Sequence, residues 1–529
     1  MSGARETLRC TGAGSGWVLA ELPIDGPEQV TTAVARAREA QRDWGVRPLR
    51  TRLKLMERFA ERLLERGYEL ARLLSVEVGS ASAEAESLEV ANLLHVTRSL
   101  IRTAPDVIGS HEVPVALHRN RRSELHYEPL GVVAVLTPAS FPLLIPMGQV
   151  ITAIIAGNAV VLKPSEFAPL IALRAVEWLE ELGLPAGLVQ VLVGGGATGS
   201  ALVEAAVDSV VFIGSTEVGR TIATSCARRL LPCTLQLGGK GAAIVLPDAD
   251  LDRTASGLVW ASFVHSGQVC ASVERVLVHR SQHDALVRRI VDRVRRLRHG
   301  DPLQGPVDVG AMMRPESVAR SLELVSDAVR CGAVLETGGA APPRAGTFFD
   351  LTVLSQVPDN ARVLREEVQG PVLAISAYDQ VDDAIRRVNA HPSGLVASVF
   401  GRDVERATAV AMCLHVGTAM VNDAIISYGM PETPWHGVKE SGIGVTHAAD
   451  GLRSMTRVLH VNTPRVQLPT EAHWFPYTDR AADIGRRALW ALYGRGWRRL
   501  KPPTPPAWDP DTEWPALLPQ RAIRGAGRG

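Results

Sequence analysis

The sequence predicts an α/β protein built from two tandem doubly wound parallel-sheet domains, with a small β element beside them. Three observations predict it. Short apolar runs at 131–136, 159–162, 189–193 and 209–213 alternate with helical segments, as expected for strands buried on both faces of a parallel sheet. A second alternation begins after Leu235, with runs at 242–246, 275–278, 372–377 and 397–400. At 529 residues the chain exceeds one ordinary domain, so two or three structural units are expected.

Ahead of the first alternation, residues 28–75 carry helical periodicity: Val30, Ala33, Val34 and Ala37, then Leu53, Met56, Phe59, Leu63 and Leu64. Residues 113–117 and 123–127 alternate instead, with Val113, Val115 and Leu117 facing Leu125 and Tyr127 across Arg-Asn-Arg-Arg. That is an exposed hairpin, foreign to a strand–helix–strand core. Residues 454–462 form another short alternating run. Beyond it the chain changes character: residues 480–501 hold seven Arg or Lys against one Asp, with Ile484, Ala488, Leu489, Leu492 and Trp497 at helical spacing. Such a helix either packs its apolar face on protein, the preferred reading, or lies on an anionic membrane surface. The Pro-rich and Gly/Arg-rich end is expected to be disordered.

Composition narrows the function classes. Apolar residues at 46% and charged residues at 21% describe a soluble globular protein with a large core. A net charge of +1 gives no global attraction to nucleic acid. No charged side chain occurs from 129 to 162, long enough for the roughly 20 residues that span a bilayer. Pro129, Pro138, Pro142 and Pro146 interrupt it, however, and each removes a backbone donor that lipid cannot replace. A buried strand, a loop and a buried helix are expected there. The six cysteines, at 10, 226, 233, 270, 331 and 413, form no C-x-x-C pair and no zinc spacing, so no metal is expected. Cys226, Cys233, Cys331 and Cys413 read as core residues, and Cys10 as a surface thiol. Free thiols and a polar start predict a reducing cytoplasm.

A cysteine nucleophile needs exposure, a lowered pKa and a site for a developing oxyanion. Cys270, in Ser266-Gly-Gln-Val-Cys270-Ala, has a nearby glycine and backbone amides for that purpose, though most free cysteines are inert core residues. Other motifs raise its standing. Lys163-Pro-Ser-Glu166 follows a buried strand and places a cation and a carboxylate where ribose hydroxyls bind. Phe212-Ile-Gly214-Ser215-Thr-Glu-Val-Gly219 reads as strand, glycine turn and helix start, a pyrophosphate site. Gln236-Leu-Gly-Gly-Lys240, Glu366-Glu367-Val-Gln369-Gly-Pro and Trp435-His-Gly-Val-Lys-Glu-Ser-Gly-Ile-Gly444 complete the set.

In this order and at these separations the motifs resemble the aldehyde dehydrogenase superfamily, from about residue 10 to 463. In flavour the chain is similar to actinobacterial succinate-semialdehyde dehydrogenases, through Cys270-Ala-Ser-Val-Glu-Arg-Val and the basic C-terminal helix. Trp474-Phe-Pro-Tyr477 is similar to a related plant and fungal branch. The resemblance implies a dinucleotide-binding domain (1–110 and 129–235), oligomerisation strands (111–128 and 454–463) and a catalytic cysteine domain (236–453), followed by a C-terminal extension (464–529). It implies a homodimer or homotetramer, a small aldehyde substrate and NAD, with NADP admissible. Gly214, Ser215 and Gly219 are expected at the pyrophosphate, Lys163 and Glu166 at the adenosine ribose, and Glu367 at the nicotinamide ribose. The fingerprint Gly194-x-Gly196-x-x-Gly199 is placed near the adenine. Lys163 tolerates a 2′-phosphate and Glu166 favours a free hydroxyl, which leans toward NAD.

The catalytic positions depart from the family. The glutamate that activates water is Gln236, and losing a positioned base lowers a rate by about 10²–10⁴. The oxyanion asparagine is replaced by Ser140, a donor of shorter reach. The phenylalanine near the nicotinamide ribose is Gln369, the asparagine five before the nucleophile is His265, and the glutamate after the last glycine motif is Thr446. Three readings stand: NAD(P)-dependent aldehyde oxidation with a substitute base such as His265 or Glu366, or with slow hydrolysis; acyl transfer to or from a thiol such as coenzyme A; and a non-catalytic binding or assembly subunit.

Overall fold

The computed structural model describes residues 6–116, 118–467, 469–471, 473–495 and 519. Leu117, Trp497, the rest of the basic run from 496 to 501 and the Pro-rich end lie outside the described residues, apart from Pro519. The chain forms two compact units, residues 1–109 with 127–458, and residues 110–126 with 459–529.

The first unit holds two large sheets, of six and seven strands. One runs Gly442–Ile443, Cys233–Leu237, Ser209–Gly214, Val132–Leu136, Ala159–Lys163, Val189–Val191. Its last five strands are parallel, and Gly442–Ile443 closes one edge antiparallel. Every residue of Val132–Leu136 and Ala159–Lys163 is buried, which is why the sequence shows unbroken apolar runs there. From Val132–Leu136 the chain winds outward on one side, then returns to place Ser209–Gly214 on the other. Between these two strands lies the topological switch point, where open α/β sheets hold their ligands.

The uncharged stretch resolves as expected into strand, loop and helix. Helix Leu144–Ala156 buries all of its residues except Thr152. Its N-terminal amides at Leu143 and Leu144 donate to the Glu89 carboxylate at 3.1 and 2.7 Å, which satisfies groups that lack helical partners. Among the described residues no helix is long and apolar enough to cross a membrane.

The second sheet runs Val334–Thr337, Thr352–Ser355, Val372–Tyr378, Val273–His279, Gly241–Val245, Val396–Phe400, Thr418–Val421, parallel except for its first strand. Both doubly wound sheets that the sequence predicts are therefore present.

Strands Thr456–Pro464, Arg121–Pro129 and His111–Val113 form a separate three-stranded sheet. The hairpin's first strand is 111–113 rather than 113–117. Pro114 has no N–H to continue the ladder, so pairing stops at Val113. Helix Asp479–Tyr493, in the second unit, begins at Thr478, whose hydroxyl accepts from the Ala481 amide at 3.2 Å. Ile484, Leu489 and Tyr493 on it are exposed.

Two thiols are placed opposite to expectation. Cys10 is buried, because it points inward from strand Thr7–Thr11. Cys413 is exposed, because it falls just past the end of helix Val404–Met412.

Candidate active site

A cavity of about 360 Å³ opens at the switch point. Leu136 to Ser140, leaving the strand Val132–Leu136, line it together with Gly214 and Ser215. Val269, Cys270, Glu367 and Gln369 reach it from the segments around the second sheet. Lys163, Glu166, Gly196 and Gln236 line it as well. Of the predicted site residues only Gly219 stays outside. A Cβ there would lie 2.3 Å from Leu237 Cδ2, so this glycine lets helix Thr216–Arg229 pack on the sheet and does not face the cavity.

The nucleotide end is built from backbone and a few fixed side chains. Ser215 caps helix Thr216–Arg229, accepting from the Val218 amide at 3.5 Å, so a 14-residue helix presents its positive end to the cavity. Beside it, a Cβ on Gly196 would meet nothing within 4 Å, leaving room for a bulky planar group. Lys163 donates to the carbonyls of Pro164 at 2.9 Å and Gly194 at 2.7 Å, and lies 3.6 Å from Glu166 Oε2. An anion-accepting helix end, a ribose-sized polar step and open space in one cavity fit a dinucleotide.

At the other end Cys270 is half-buried. Contrary to the lowered pKa expected of a nucleophile, burial, and then the nearby charge of Glu367, push its thiol up to about 12, so the resting group is protonated. The loop carrying it is held in a costly conformation. His265, Ser266 and Gly267 have φ of +53°, +54° and +70°, and Phe141 and Gln369 also have positive φ, at +44° and +53°. Each such non-glycine residue stores about 1–3 kcal/mol, a strain that gathers at functional loops. At Gly267 a Cβ would stand 2.3 Å from the Gly370 carbonyl oxygen, so glycine is required.

Glu367 is clamped from both sides by a buried ion pair. Lys240 and Glu274 contact each other; Lys240 also donates to the Glu366 carbonyl at 2.7 Å, and Glu274 accepts from the Val368 amide at 3.2 Å. Burial and the charge of Glu274 push the Glu367 carboxyl above the ordinary carboxylate range.

The substituted positions have definite partners. Gln236 Nε2 donates to Thr446 Oγ1 and lies 3.5 Å from the Trp435 carbonyl. Ser140 Oγ donates to the Gln268 carbonyl at 2.6 Å, which commits its one proton to the loop before Cys270. His265 is buried and stacked on Phe141 at 5.3 Å, and burial lowers it to about 4. Glu366 is bound by Arg362 and Arg320, which hold its carboxyl at about 2. Both substitute bases named from the sequence are therefore poor proton acceptors. Neither lines the cavity.

Arg314 and Ser317 line the cavity without having been foreseen. In Met312-Met-Arg-Pro-Glu-Ser317 the only signal is a proline opening a helix, Pro315–Arg330, which carries no chemistry.

The crevice at the sheet switch point faces the strained loop that carries Cys270 ahead of the second sheet, the arrangement of an α/β oxidoreductase. The chain belongs to the aldehyde dehydrogenase family, whose model matches residues 1–461. It is 34% identical, over 85% of its length and 88% of the relative's, to a protein of Mycolicibacterium smegmatis assigned as a succinate-semialdehyde dehydrogenase [NADP(+)]. It is 36% identical to the 3-sulfolactaldehyde dehydrogenase of Priestia aryabhattai, over 84% of this chain and 92% of that one. The crystal structure of Mycobacterium tuberculosis aldehyde dehydrogenase complexed with NAD+ superposes with a TM-score of 0.83 at 30% identity, covering 88% of this chain and 96% of that one.

Proposed function

We propose that the protein oxidises a short aliphatic aldehyde or semialdehyde with NAD or NADP, through a thiohemiacetal and thioester on Cys270, and that deacylation is its slow step. The observation that carries this reading is Cys270 facing one cavity with Glu367 and the N-terminus of the helix capped by Ser215. The relatives named above act, by their names, on small aldehydes. When bound, the nicotinamide accepts the hydride. The Cys270 thiol passes its proton to the Glu367 carboxylate as its sulfur adds to the aldehyde carbon, and backbone amides of its loop are the donors near the resulting oxyanion. Glu367, held by the Lys240–Glu274 clamp, positions the nicotinamide ribose.

Deacylation lacks the family's base, since Gln236 carries no basic oxygen and faces Thr446. Among the carboxylates lining the cavity, Glu367 alone is in electrostatic reach of Cys270. Its raised proton affinity suits it to take the proton of an attacking water, with the thiolate of Cys270 leaving the acyl carbon. The same missing base favours a second reading, acyl transfer to a thiol such as coenzyme A, which ionises without strong base catalysis.

A burst assay of reduced-cofactor formation over an aldehyde panel, with and without coenzyme A, tests both. A stoichiometric burst followed by slow turnover is expected. Acceleration by coenzyme A moves the assignment to acyl transfer, and no burst with any aldehyde, despite nucleotide binding, moves it to a non-catalytic subunit. Beyond the site, we infer that strands 111–128 and 454–463 pair with a second copy in a dimer or tetramer, and that helix Asp479–Tyr493 packs on protein rather than on a membrane. All six cysteines are free thiols, in keeping with a reducing cytoplasm.

A further inference from the structure

Two cationic side chains line the cavity, Lys163 and Arg314, and they differ in what they have left to donate. The three N–H groups of Lys163 face Pro164 O, Gly194 O and Glu166 Oε2, so no proton remains for a phosphate. The Arg314 guanidinium makes no hydrogen bond or ion pair with any described residue. Its guanidinium carbon lies 4.8 Å from the ring centroid of Phe167, a stacked position that leaves its N–H edges free. Arg314 is partly exposed, so these N–H edges are open to an anion that enters the cavity.

We infer that Arg314 anchors a phosphate monoester at the adenosine end of the dinucleotide, the 2′-phosphate of NADP, an inference that rests on the cofactor reading above. The place of Arg314 in the cavity selects this phosphate over the pyrophosphate. Phe167 follows Glu166 directly, so the guanidinium stacks on the loop that the cofactor reading assigns to the adenosine ribose, and its charge acts on Lys163 there as well as on Glu367. The pyrophosphate already has a partner in the helix end at Ser215. Glu166 is the group that opposes a dianion, and its contact with Lys163 offsets part of that repulsion. A lean toward NAD follows when only Lys163 and Glu166 are weighed; Arg314, which is distant in sequence, reverses the balance.

Calorimetric titration of the full chain with adenosine 2′,5′-bisphosphate, 5′-AMP and ADP-ribose tests the assignment without turnover. The bisphosphate should bind more tightly than 5′-AMP. Arg314→Ala should weaken it by about ten- to hundredfold, the loss of charge-assisted hydrogen bonds, while 5′-AMP and ADP-ribose change by less than about twofold. Arg314→Lys should fall between, and Glu166→Gln should tighten the bisphosphate alone. Equal wild-type affinity for the bisphosphate and 5′-AMP overturns the proposal, as does equal weakening of all three ligands in Arg314→Ala, which would place the guanidinium at the pyrophosphate or in a purely structural role. No binding of any of the three overturns the dinucleotide reading of the cavity, and the Arg314 assignment with it.

Discussion

Gln236 Nε2 donates a hydrogen bond to Thr446 Oγ1, so two of the positions at which the chain departs from its family touch each other. They lie 210 residues apart in sequence. They meet because strand Gly442–Ile443 pairs antiparallel with Cys233–Leu237, with Gly442 opposite Gln236, and Thr446 lies three residues past the end of that short strand. A glutamate pair at these positions would bring two carboxylates together; an amide and a hydroxyl form a neutral, satisfied contact instead.

The contact makes the proposed absence of a deacylating base testable by substitution. Gln236→Glu should restore a carboxylate to which Thr446 can donate, and raise turnover after the burst by about 10²–10⁴. Adding Thr446→Val should remove part of that gain, because the new carboxylate loses its donor. Steady-state formation of reduced cofactor by the two variants checks this, and unchanged turnover in Gln236→Glu would show that position 236 does not face the attacking water.

Cys270 should react slowly with alkylating reagents in the free protein. With the thiol pushed up to about 12, the thiolate fraction, and hence the alkylation rate by iodoacetamide, should rise about tenfold per pH unit through the neutral and mildly alkaline range. Glu367→Gln removes the negative charge that disfavours the thiolate, so alkylation at pH 8 should become faster. A plateau near neutral pH in the wild type would contradict the buried-thiol picture.

Three carboxyls near the start of the chain are buried. Burial raises Glu77 and Glu84 to about 7 and Glu89 to about 8 from an ordinary 4.5. A raised folded-state value means that the fold holds the proton more tightly than the unfolded chain. The stabilisation is complete below about pH 4.5 and is lost as pH rises through about 7–8. Melting temperatures measured from pH 5 to 8 should therefore fall, and fall less in Glu89→Gln, whose amide oxygen can still accept from Leu143 and Leu144. An identical pH dependence in that variant would remove Glu89 from the account.

The Lys240–Glu274 pair is almost fully buried, and removing one partner should strand the other charge. Glu274→Gln should destabilise the fold by about 3–5 kcal/mol in urea titration. It should also loosen Glu367, seen as weaker binding of whole dinucleotide than of ADP-ribose. A loss of stability without that difference would mean that the clamp does not position Glu367.

Much of this protein was legible in its residues in order. Unbroken apolar runs such as 132–136 and 159–163 reveal doubly buried strands, because no solvent-facing side imposes alternation on them. The cavity loops were legible because glycine and proline chemistry is local: Gly214 and Ser215 end a strand and open a helix wherever they occur. Gly219, expected at the pyrophosphate, packs on Leu237, and a glycine needed for ligand approach and one needed for helix–sheet packing read alike in sequence. Cys10 and Cys413 were exchanged for a similar reason, because exposure depends on which face of an element meets the core.

By itself the sequence determined the two parallel sheets and the glycine-turn and cysteine motifs from which the role proposed for Cys270 follows, because each rests on short-range patterns of burial and turn geometry. The tertiary structure decided how the departures behave. Whether Gln236 finds Thr446, whether His265 and Glu366 can serve as bases, and whether Arg314 reaches the ribose loop depend on contacts between segments tens to hundreds of residues apart. Burial and charge proximity set proton affinity and leave a guanidinium free, and both are properties of three-dimensional neighbours rather than of sequence order.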